Sequence, residues 1–168
     1  MIGYMASGKS SIGQKLAKKL NLPFIDLDDY ITKVENQNIP DIFSTKGEIY
    51  FRKKETEHLN KVLQNKDNFI LAVGGGTPCY GNNMDIINNY AKSIYLKSSI
   101  QTIYEKLSKE KNKRKRPLVS TIENKDLKEF IAKHLFERNL FYEKASFTIV
   151  VDNKTKKEIV EEINLNMQ

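Results

Sequence analysis

Short apolar segments alternate with longer amphipathic segments along the chain. Four apolar, β-branched runs near the usual strand length of about 5 residues predict buried strands at Phe24 to Leu27, Phe69 to Val73, Ser93 to Leu96 and Thr148 to Val151. Apolar residues recur at three- and four-residue steps, as in helices with one buried face, at Lys9 to Leu20, Glu48 to Leu63, Ile100 to Leu107, Lys125 to Tyr142 and Lys154 to Ile163. This alternation is typical of an α/β protein with a mostly parallel sheet.

The length of 168 residues suits one buried core and is too short for two ordinary domains. We therefore predict a single domain over residues 1–168. No run approaches the roughly 20 consecutive apolar residues of a membrane helix, and the N-terminus has no basic segment followed by a long apolar one. Neither membrane insertion nor export is expected. The single cysteine, Cys79, cannot form an internal disulfide, which suits the reducing cytoplasm.

The segment before the first predicted helix matches the Walker A pattern G-x-x-x-x-G-K-[ST]. It reads GYMASGKS and supplies Gly3, Gly8, Lys9 and Ser10. Such glycines let successive backbone N–H groups surround phosphate oxygens at a helix N-terminus. Lys9 adds positive charge at the β and γ phosphates, and the Ser10 hydroxyl can ligate Mg²⁺. We predict a three-layer α/β/α P-loop fold that binds a nucleoside triphosphate. Motor proteins, GTPases and metabolite kinases share this loop, so it does not identify the phosphate acceptor.

The first strand of the predicted fold is short. Only Met1 and Ile2 precede Gly3, where a P-loop fold places a central strand of about 5 apolar residues. We therefore expect a five-stranded sheet whose first strand is clipped, with the natural or ancestral start upstream. A measured mass of the native protein equal to that of this sequence would contradict an upstream start.

Carboxylates follow the next predicted strand, in Asp26-Leu27-Asp28-Asp29. If strand alternation continues, Asp26 and Asp28 point to the same side, at the carboxyl edge where open α/β sheets bind ligands. One carboxylate could then support Mg²⁺ through water, and the other could accept a hydrogen bond from a substrate hydroxyl. In the competing interpretation Asp28 or Asp29 caps the following helix, and Asp29 is the better candidate for that cap.

Three consecutive glycines, Gly74 to Gly76, follow the third predicted strand. Without Cβ atoms, their amides can hydrogen-bond a small ligand directly. Arg52 shares a helix face with Glu48 and Glu55, so ion pairs could hold its guanidinium. For Arg52 alone, and for Arg138 in a later helix, the simpler interpretation is a surface salt bridge.

Basic residues crowd the segment from 106 to 116 within a chain of net charge +7. That charge permits either a nucleic-acid partner or the binding of ATP and an anionic metabolite. Arg116-Pro117-Leu118 closes the segment with a proline that stiffens the exit. We predict a mobile lid over about residues 108–121, which would bring an arginine to the phosphates and exclude water. The alternatives are a solvated charge run and a nucleic-acid arm, and no interleaved aromatic residue is present to stack on bases.

In combination, these motifs resemble the shikimate kinase family. In chain order they are GYMASGKSS, the Asp26-x-Asp28 pair, Ile42-Phe43 through Gly47-Glu48 and Phe51-Arg52 to Glu55, GGGT, Arg116-Pro117-Leu118, and Arg138 through Tyr142 to Ala145. The resemblance covers nearly the whole chain. It implies ATP-dependent phosphorylation of a shikimate hydroxyl to shikimate 3-phosphate, in the route to chorismate and aromatic amino acids. The implied enzyme is cytoplasmic and monomeric, with no membrane or stable nucleic-acid partner.

The same resemblance implies a role for each motif. The ATP-binding loop would comprise Ala6, Ser7, Gly8, Lys9, Ser10 and Ser11. Mg²⁺ would be served by Ser10 and, indirectly, by Asp26. Shikimate would be bound by Asp28 at its hydroxyls, by Arg52 and Arg138 at its carboxylate, and by Gly74, Gly75 and Gly76, with Gly75 foremost. The catalytic groups would be Lys9, Asp28 and Arg116, with Arg116 reaching the phosphates from the lid. A helical segment over about residues 29–65 would form the substrate-binding part.

Departures from the family pattern are few. Ala6 and Ser11 stand where the family often has Gly and Thr, and the lid is unusually rich in lysine. None of these removes a proposed catalytic group. Another small P-loop kinase, such as a gluconate or nucleoside-monophosphate kinase, is the alternative, and it should lack the clamp of Arg52 and Arg138. A nucleotide-regulated nucleic-acid-binding protein is the more distant alternative.

Overall fold

The computed structural model describes residues 1–65, 67–109 and 117–167. In chain order the elements are α1 (Lys9–Leu20), β1 (Phe24–Asp26), α2 (Leu27–Glu35), α3 (Ile39–Leu63), β2 (Ile70–Ala72), α4 (Asn83–Tyr90), β3 (Ile94–Lys97), α5 (Ile100–Leu107), α6 (Pro117–Ser120), α7 (Asn124–Tyr142), β4 (Phe147–Val150) and α8 (Lys156–Met167). A 3₁₀ turn, Thr77–Cys79, lies between β2 and α4. Within the described ranges, no helix is both long and apolar enough to cross a bilayer.

The strands form two parallel pairs. β1 pairs with β2, with Phe24 opposite Ile70, and β3 pairs with β4, with Ile94 opposite Phe147. Parallel neighbours require a crossover connection, and helices supply it here. The predicted parallel α/β class is therefore confirmed.

Residues 1 and 2 join the two pairs. Ile2 N donates to Ile94 O at 2.8 Å, and Val73 N donates to Met1 O at 3.3 Å. Ile2 thereby forms a parallel bridge next to β3. The order across the sheet is β1, β2, residues 1–2, β3 and β4, which places the short first strand at the centre, as predicted.

Helices cover both faces of the sheet because alternate strand residues face opposite sides. Ile94 and Leu96 of β3 belong to a core shared with α1 and α8. Tyr95, between them, belongs to the other core, which α2, α3, α4, α5 and α7 complete. The result is the predicted α/β/α layering.

The expectation that all four strands are buried is wrong for the two outer ones. All of β1 is only half-buried, and Val150 of β4 is 48% exposed. The strand order gives the reason: within the described part of the chain, β1 and β4 are the ends of the sheet and have a strand neighbour on one side only.

Helix α3 is longer than the predicted Glu48 to Leu63, because a first helical half precedes the glycine that lies just before the predicted start. Gly47 has φ 82° and ψ 168°, so two helical halves meet there at a kink. The missed first half begins after Asn38, whose side-chain oxygen accepts a hydrogen bond from Asp41 N at 2.9 Å. That cap is an ordinary helix-start signal. The kink sets the direction of the second half, which carries Arg52.

Three further helices, α2, α4 and α6, were not predicted. The first two have only nine and eight residues, and α4 contains several asparagines, which are weak helix formers. α2 is fixed against α3 by Glu35, which accepts from Tyr50 Oη and from His58 Nε2, each at 2.9 Å. Helices α2 and α3 occupy the segment of about residues 29–65 that was predicted to bind substrate, a role that stays a prediction.

Candidate active site

A cavity of about 510 Å³ lies at the carboxyl edge of the sheet. Its wall combines the phosphate loop, the end of β1, the loop after β2 and two lysines from α5 and α8. The lining residues are Met5, Ala6, Gly8, Lys9, Ser10, Ser11, Asp26, Asp28, Val73, Gly74, Gly75, Lys106 and Lys156. Most of the predicted site residues therefore surround one space. Lys156, the first residue of α8, lies in the wall.

The phosphate loop leads directly into helix α1. Gly8, with φ 100°, precedes the helix, no side chain caps it, and its first turn contains no acidic residue. The first N–H groups of a helix lack intrahelical partners, and an anion is favoured beside them. Lys9 Nζ donates to the carbonyl oxygens of Gly3 at 2.9 Å and Tyr4 at 3.0 Å. The cation is thus held over the loop where phosphates would lie.

Ala6 occupies a left-handed conformation within this loop, with φ 63°. That conformation costs a residue with a Cβ about 1 to 2 kcal/mol. We expect Ala6→Gly to raise the free energy of unfolding by up to about 1 kcal/mol, after the larger unfolded-state entropy of glycine is allowed for. Urea denaturation measures this. Ala91→Gly is the matched control, because Ala91 has an extended conformation, φ −148°, and should lose stability. Equal losses in both variants would contradict strain at Ala6.

The aspartates after β1 differ from the expected arrangement. β1 ends at Asp26 and α2 begins at Leu27, so strand alternation does not relate Asp26 to Asp28. Asp26 caps the helix: its Oδ1 accepts from Asp28 N at 3.1 Å. The expectation that Asp28 or Asp29 is the cap is therefore wrong, because the carboxylate just before the first helical residue reaches the second amide. Asp28 still faces the cavity, from the first turn of α2.

Asp26 also contacts the phosphate loop. Ser10 Oγ donates to Asp26 Oδ2 at 2.6 Å. A hydroxyl and a carboxylate therefore sit side by side at the start of α1. Both are hard oxygen donors of the kind that Mg²⁺ prefers.

The carboxyl of Asp28 lies in an unfavourable place for negative charge. Burial, together with the negative charges of Asp26 and Glu55, raises the pKa of Asp28 to about 6, although Lys9 partly opposes the change. Near neutral pH the group is ionised but poorly solvated, and a poorly solvated carboxylate accepts hydrogen bonds strongly. Such pKa shifts are common at catalytic carboxyls.

Three side chains from three helices converge on the three glycines. A methyl group placed on Gly74 would lie 3.1 Å from Asp28 Oδ1, one on Gly75 would lie 3.5 Å from Arg138 Nη1, and one on Gly76 would lie 2.9 Å from Arg52 Nη2. The last distance is shorter than any ordinary contact, so Arg52 can occupy its position only beside a glycine. The glycines thus let two cations and a carboxylate approach the same stretch of backbone.

Arg52 is held by the two glutamates that the helix spacing predicted. Its Nη1 donates to Glu55 at 2.8 Å and its Nε donates to Glu48 at 3.3 Å. The guanidinium carbon lies 5.3 Å from the centre of the Phe51 ring. With only 13% of its side chain exposed, Arg52 is not the surface salt-bridge residue of the simpler interpretation.

Glu55 connects Arg52 to the glycine segment. Its residue is 1% exposed, and its second oxygen accepts from Thr77 Oγ1 at 2.6 Å. The sequence identified Glu55 only as an ion-pair partner. Its position within the apolar row of Phe51 and Leu59 was the missed signal, because a carboxylate on a buried helix face must be paired.

Arg138 reaches the same place from α7. Its guanidinium carbon lies 5.9 Å from the centre of the Tyr4 ring. Within the described ranges, no carboxylate lies within 4.0 Å of its guanidinium. One turn further along α7, Tyr142 Oη donates to Gly75 O at 2.5 Å, a contact that the sequence did not predict.

Ser7 and Ser11 were also predicted to contact ATP. Ser7 is buried, with 1% exposed, and Ser11 Oγ donates to Gly8 O at 3.1 Å. Arg116 lies outside the described residues, as do residues 110–115 of the predicted lid. Beyond that gap the chain resumes with α6, where Val119 is buried in the core.

A Walker A loop opens onto a cavity lined by the half-buried carboxylate of Asp28, and two arginines converge on the adjacent glycines; this combination defines a P-loop kinase of small molecules. A family model described as shikimate kinase matches residues 5–168. The shikimate kinase of Flavobacterium psychrophilum is 47% identical over 165 residues, which cover 98% of this chain and 95% of that protein. The chain belongs to the shikimate kinase family.

Solved structures agree with this membership. The shikimate kinase of Bacteroides thetaiotaomicron superposes with a TM-score of 0.91 at 30% identity, covering 99% of this chain and 95% of the other. The shikimate kinase of Acinetobacter baumannii, solved in complex with shikimate, gives a TM-score of 0.88 at 28% identity and covers 99% and 89% of the two chains. The P-loop α/β fold expected from the sequence is confirmed, and the chain is a kinase that uses ATP.

Proposed function

We propose that this chain transfers the γ-phosphoryl group of ATP to a hydroxyl of shikimate, giving shikimate 3-phosphate and ADP in the route to chorismate and aromatic amino acids. The observation that carries the proposal is the convergence of Asp28, Arg52 and Arg138 on Gly74 to Gly76, next to the phosphate loop. Family membership and the shikimate complex of the Acinetobacter baumannii relative support the same substrate.

The charged groups would hold shikimate in one orientation. Arg52 and Arg138 would bind its carboxylate, since guanidinium groups match the geometry of a carboxylate. Asp28 and the amides of Gly74 to Gly76, Gly75 above all, would bind its hydroxyls. The ring is then fixed at both ends, and the acceptor oxygen faces the phosphate loop. Positioning of this kind supplies much of the catalysis in phosphoryl transfer.

Lys9 and Asp28 would act on the two reacting groups. The phosphates of ATP would lie against the loop of Ala6 to Ser11 and draw the Lys9 ammonium from the backbone carbonyls it now contacts. Asp28 would accept a hydrogen bond from the attacking hydroxyl, either orienting it or taking its proton. The third catalytic group would be Arg116, acting from the lid on the developing charge.

Ser10 and Asp26 fit a Mg²⁺ site. Their oxygens lie 2.6 Å apart beside the phosphate loop, and no cluster of three or more His, Cys, Asp or Glu ligands occurs among the described residues. Mg²⁺ commonly takes one or two protein oxygens and completes its shell with phosphates and water. Ser10 would ligate the ion directly and Asp26 would act through water. When bound, Mg²⁺ neutralises charge on the β and γ phosphates.

We also propose the cellular context. The chain would act as a single-domain monomer in the cytoplasm, with a lid over about residues 108–121 and with no stable nucleic-acid partner. Light scattering measures the oligomeric state. Steeply salt-dependent binding to DNA or RNA would contradict the last part.

An assay of ADP release tests the proposed activity. With ATP and Mg²⁺, we expect turnover of shikimate and none of gluconate or nucleoside monophosphates, and we expect EDTA to stop it. A reaction without acceptor measures background ATP hydrolysis. Turnover of gluconate or a nucleoside monophosphate with none of shikimate would overturn the proposal in favour of another small P-loop kinase.

The pH dependence should report the carboxyl of Asp28. Because burial raises its pKa to about 6, the ionised form is lost as the pH falls below that value. We expect kcat/KM for shikimate to fall about tenfold per pH unit below this point. The measurement is kcat/KM for shikimate between pH 5 and pH 8, a range that spans the pKa of about 6, at saturating Mg²⁺ and ATP. A flat profile through pH 6 would contradict an essential ionised Asp28.

A further inference from the structure

Helix α7 turns one row of side chains toward the site. His134, Arg138 and Tyr142 are spaced by four residues and therefore share a face of the helix. His134 Nδ1 lies 3.0 Å from Tyr4 Oη, Arg138 lies over the Tyr4 ring, and Tyr142 donates to the Gly75 carbonyl. Two of the three contacts are therefore made to Tyr4, a residue of the phosphate loop.

Tyr4 belongs to both halves of the site. Its carbonyl oxygen accepts a hydrogen bond from Lys9 Nζ at 3.0 Å, while its buried side chain, 1% exposed, faces α7. The His134 ring meets the Tyr4 ring edge-on, with centroids 5.6 Å apart, and Phe130 supports the imidazole at 5.1 Å. The hydroxyl of Tyr4 is thus hydrogen-bonded to His134, whose ring is held in place by Phe130.

The two arginines are held by different means. Arg52 is paired with Glu48 and Glu55. Arg138 lies over an aromatic ring, and the described part of the chain offers it no carboxylate at ion-pair distance. A carboxylate beside Arg138 would compete with a substrate carboxylate, whereas a ring face attracts the cation and leaves its N–H donors available.

We propose that Tyr4 and His134 are positioning residues for substrate binding: their hydrogen bond fixes α7 against the phosphate loop, so that the Arg138 guanidinium is held over the Tyr4 ring and beside Gly75. The inference rests on the proposed role of Arg138 at the substrate carboxylate. The hydrogen bond between Tyr4 and His134 is a polar contact between the phosphate loop and α7, the helix that carries Arg138.

The charge states of the pair suit this contact. Burial and the positive charge of Arg138 lower the pKa of His134 to about 4, and burial raises the pKa of Tyr4 to about 12. At neutral pH the imidazole is therefore neutral and the phenol protonated, so the Tyr4 hydroxyl can donate to Nδ1. A neutral His134 also adds no second positive charge to repel Arg138.

Calorimetric titration of shikimate and of ADP tests the proposal. Tyr4→Phe and His134→Leu should each weaken shikimate binding about 3- to 10-fold, the range for loss of one hydrogen bond, and change ADP binding less than twofold. The double variant should lose less than the product of the single losses, because one interaction is removed in all three. His134→Asn places an amide oxygen near the position of Nδ1 and should restore most of the affinity.

Tyr95→Phe is the matched control. Tyr95 is also buried, at 1% exposed, and its hydroxyl donates to Asn139 Oδ1 of the same helix at 2.9 Å. The control should lose thermal stability and keep wild-type affinity for shikimate. If it weakens shikimate binding as much as Tyr4→Phe does, the effect is a general loosening of α7 and the inference is overturned.

Arg138→Ala separates the inference from the proposed function. Weak shikimate binding by Arg138→Ala, together with wild-type binding by Tyr4→Phe and His134→Leu, would overturn the positioning role alone. Normal shikimate binding by Arg138→Ala would remove the proposed carboxylate contact, and the positioning role with it.

Discussion

Replacing Asp28 by asparagine is expected to lower kcat for shikimate by about 10²- to 10⁴-fold, the usual loss for a group that accepts a proton or orients the nucleophile. Asparagine keeps the size of the side chain and a carbonyl oxygen, so shikimate can still bind. It lacks the negative charge that strengthens the hydrogen bond to the attacking hydroxyl. Steady-state kinetics with shikimate as the varied substrate measure this effect.

The same substitution is expected to stabilise the protein. The pKa of Asp28 is about 6 in the folded chain against an ordinary value of 3.8, so the folded state binds the proton more tightly than the unfolded state. Stability associated with this carboxyl is present below its unfolded pKa and declines as the pH rises through 6. Allowing for a favourable interaction with the N-terminus of α2, we expect Asp28→Asn to add about 1 to 2 kcal/mol at pH 7.5.

Asp29→Asn is the control for Asp28→Asn. Asp29 is the next residue of α2 and is exposed, so its amide variant should keep both activity and stability close to the wild type. An Asp28→Asn enzyme with nearly full kcat would show that the carboxylate is not needed for transfer. A lower melting temperature in Asp28→Asn would instead contradict the unfavourable burial of its charge.

Motifs with fixed local geometry were predictable from the sequence. The bounds of α1 agree with the prediction, because the phosphate loop determines where the helix begins and Asn21, in a left-handed conformation, ends it. Asp28 lines the cavity, but it does so from the first turn of α2 and not from a continued strand, so the local reasoning was wrong. The apolar residues around Asp26 fit a strand that continues past it as well as a helix that begins at Leu27. The local pattern therefore could not show where β1 ends.

Contacts between distant parts of the chain were not predictable. Tyr4 and His134 are separated by 130 positions, and Tyr142 and Gly75 by 67. Nothing in the local spacing of these residues indicates that they touch, because the crossover connections of the sheet bring them together. The burial of Arg52 was also hidden, since it depends on a backbone segment without Cβ atoms at Gly76.

Arg138 offers a cleaner test of the carboxylate clamp than Arg52. Removing Arg52 would leave Glu55, which is 1% exposed, without its cationic partner, and an unpaired buried charge destabilises the protein strongly. Arg138 lies over a ring, and the described residues include no carboxylate paired with it. Its loss should therefore affect ligand binding more than folding.

We expect Arg138→Ala to weaken shikimate binding by roughly 30- to 1000-fold, equivalent to about 2 to 4 kcal/mol for loss of one member of a partly buried charge pair. ADP affinity should change less than about twofold, because Arg138 is not part of the cavity wall at the phosphate loop. Arg138→Lys should fall between, since lysine keeps the charge and loses the paired donors. Calorimetry measures both ligands on the same variant.

Two controls make the result of Arg138→Ala specific to a carboxylate. Lys133→Ala removes an exposed cation from the same helix and should leave shikimate affinity unchanged, which excludes a general effect of net charge. The methyl ester of shikimate lacks the negative charge, so the wild type should bind it weakly and Arg138→Ala should bind it about equally weakly. An ester that loses as much affinity as shikimate on Arg138→Ala would show that the guanidinium contacts some other part of the ligand. Equal losses of shikimate and ADP would point instead to disruption of the whole site, because a carboxylate ligand has no reason to affect the nucleotide.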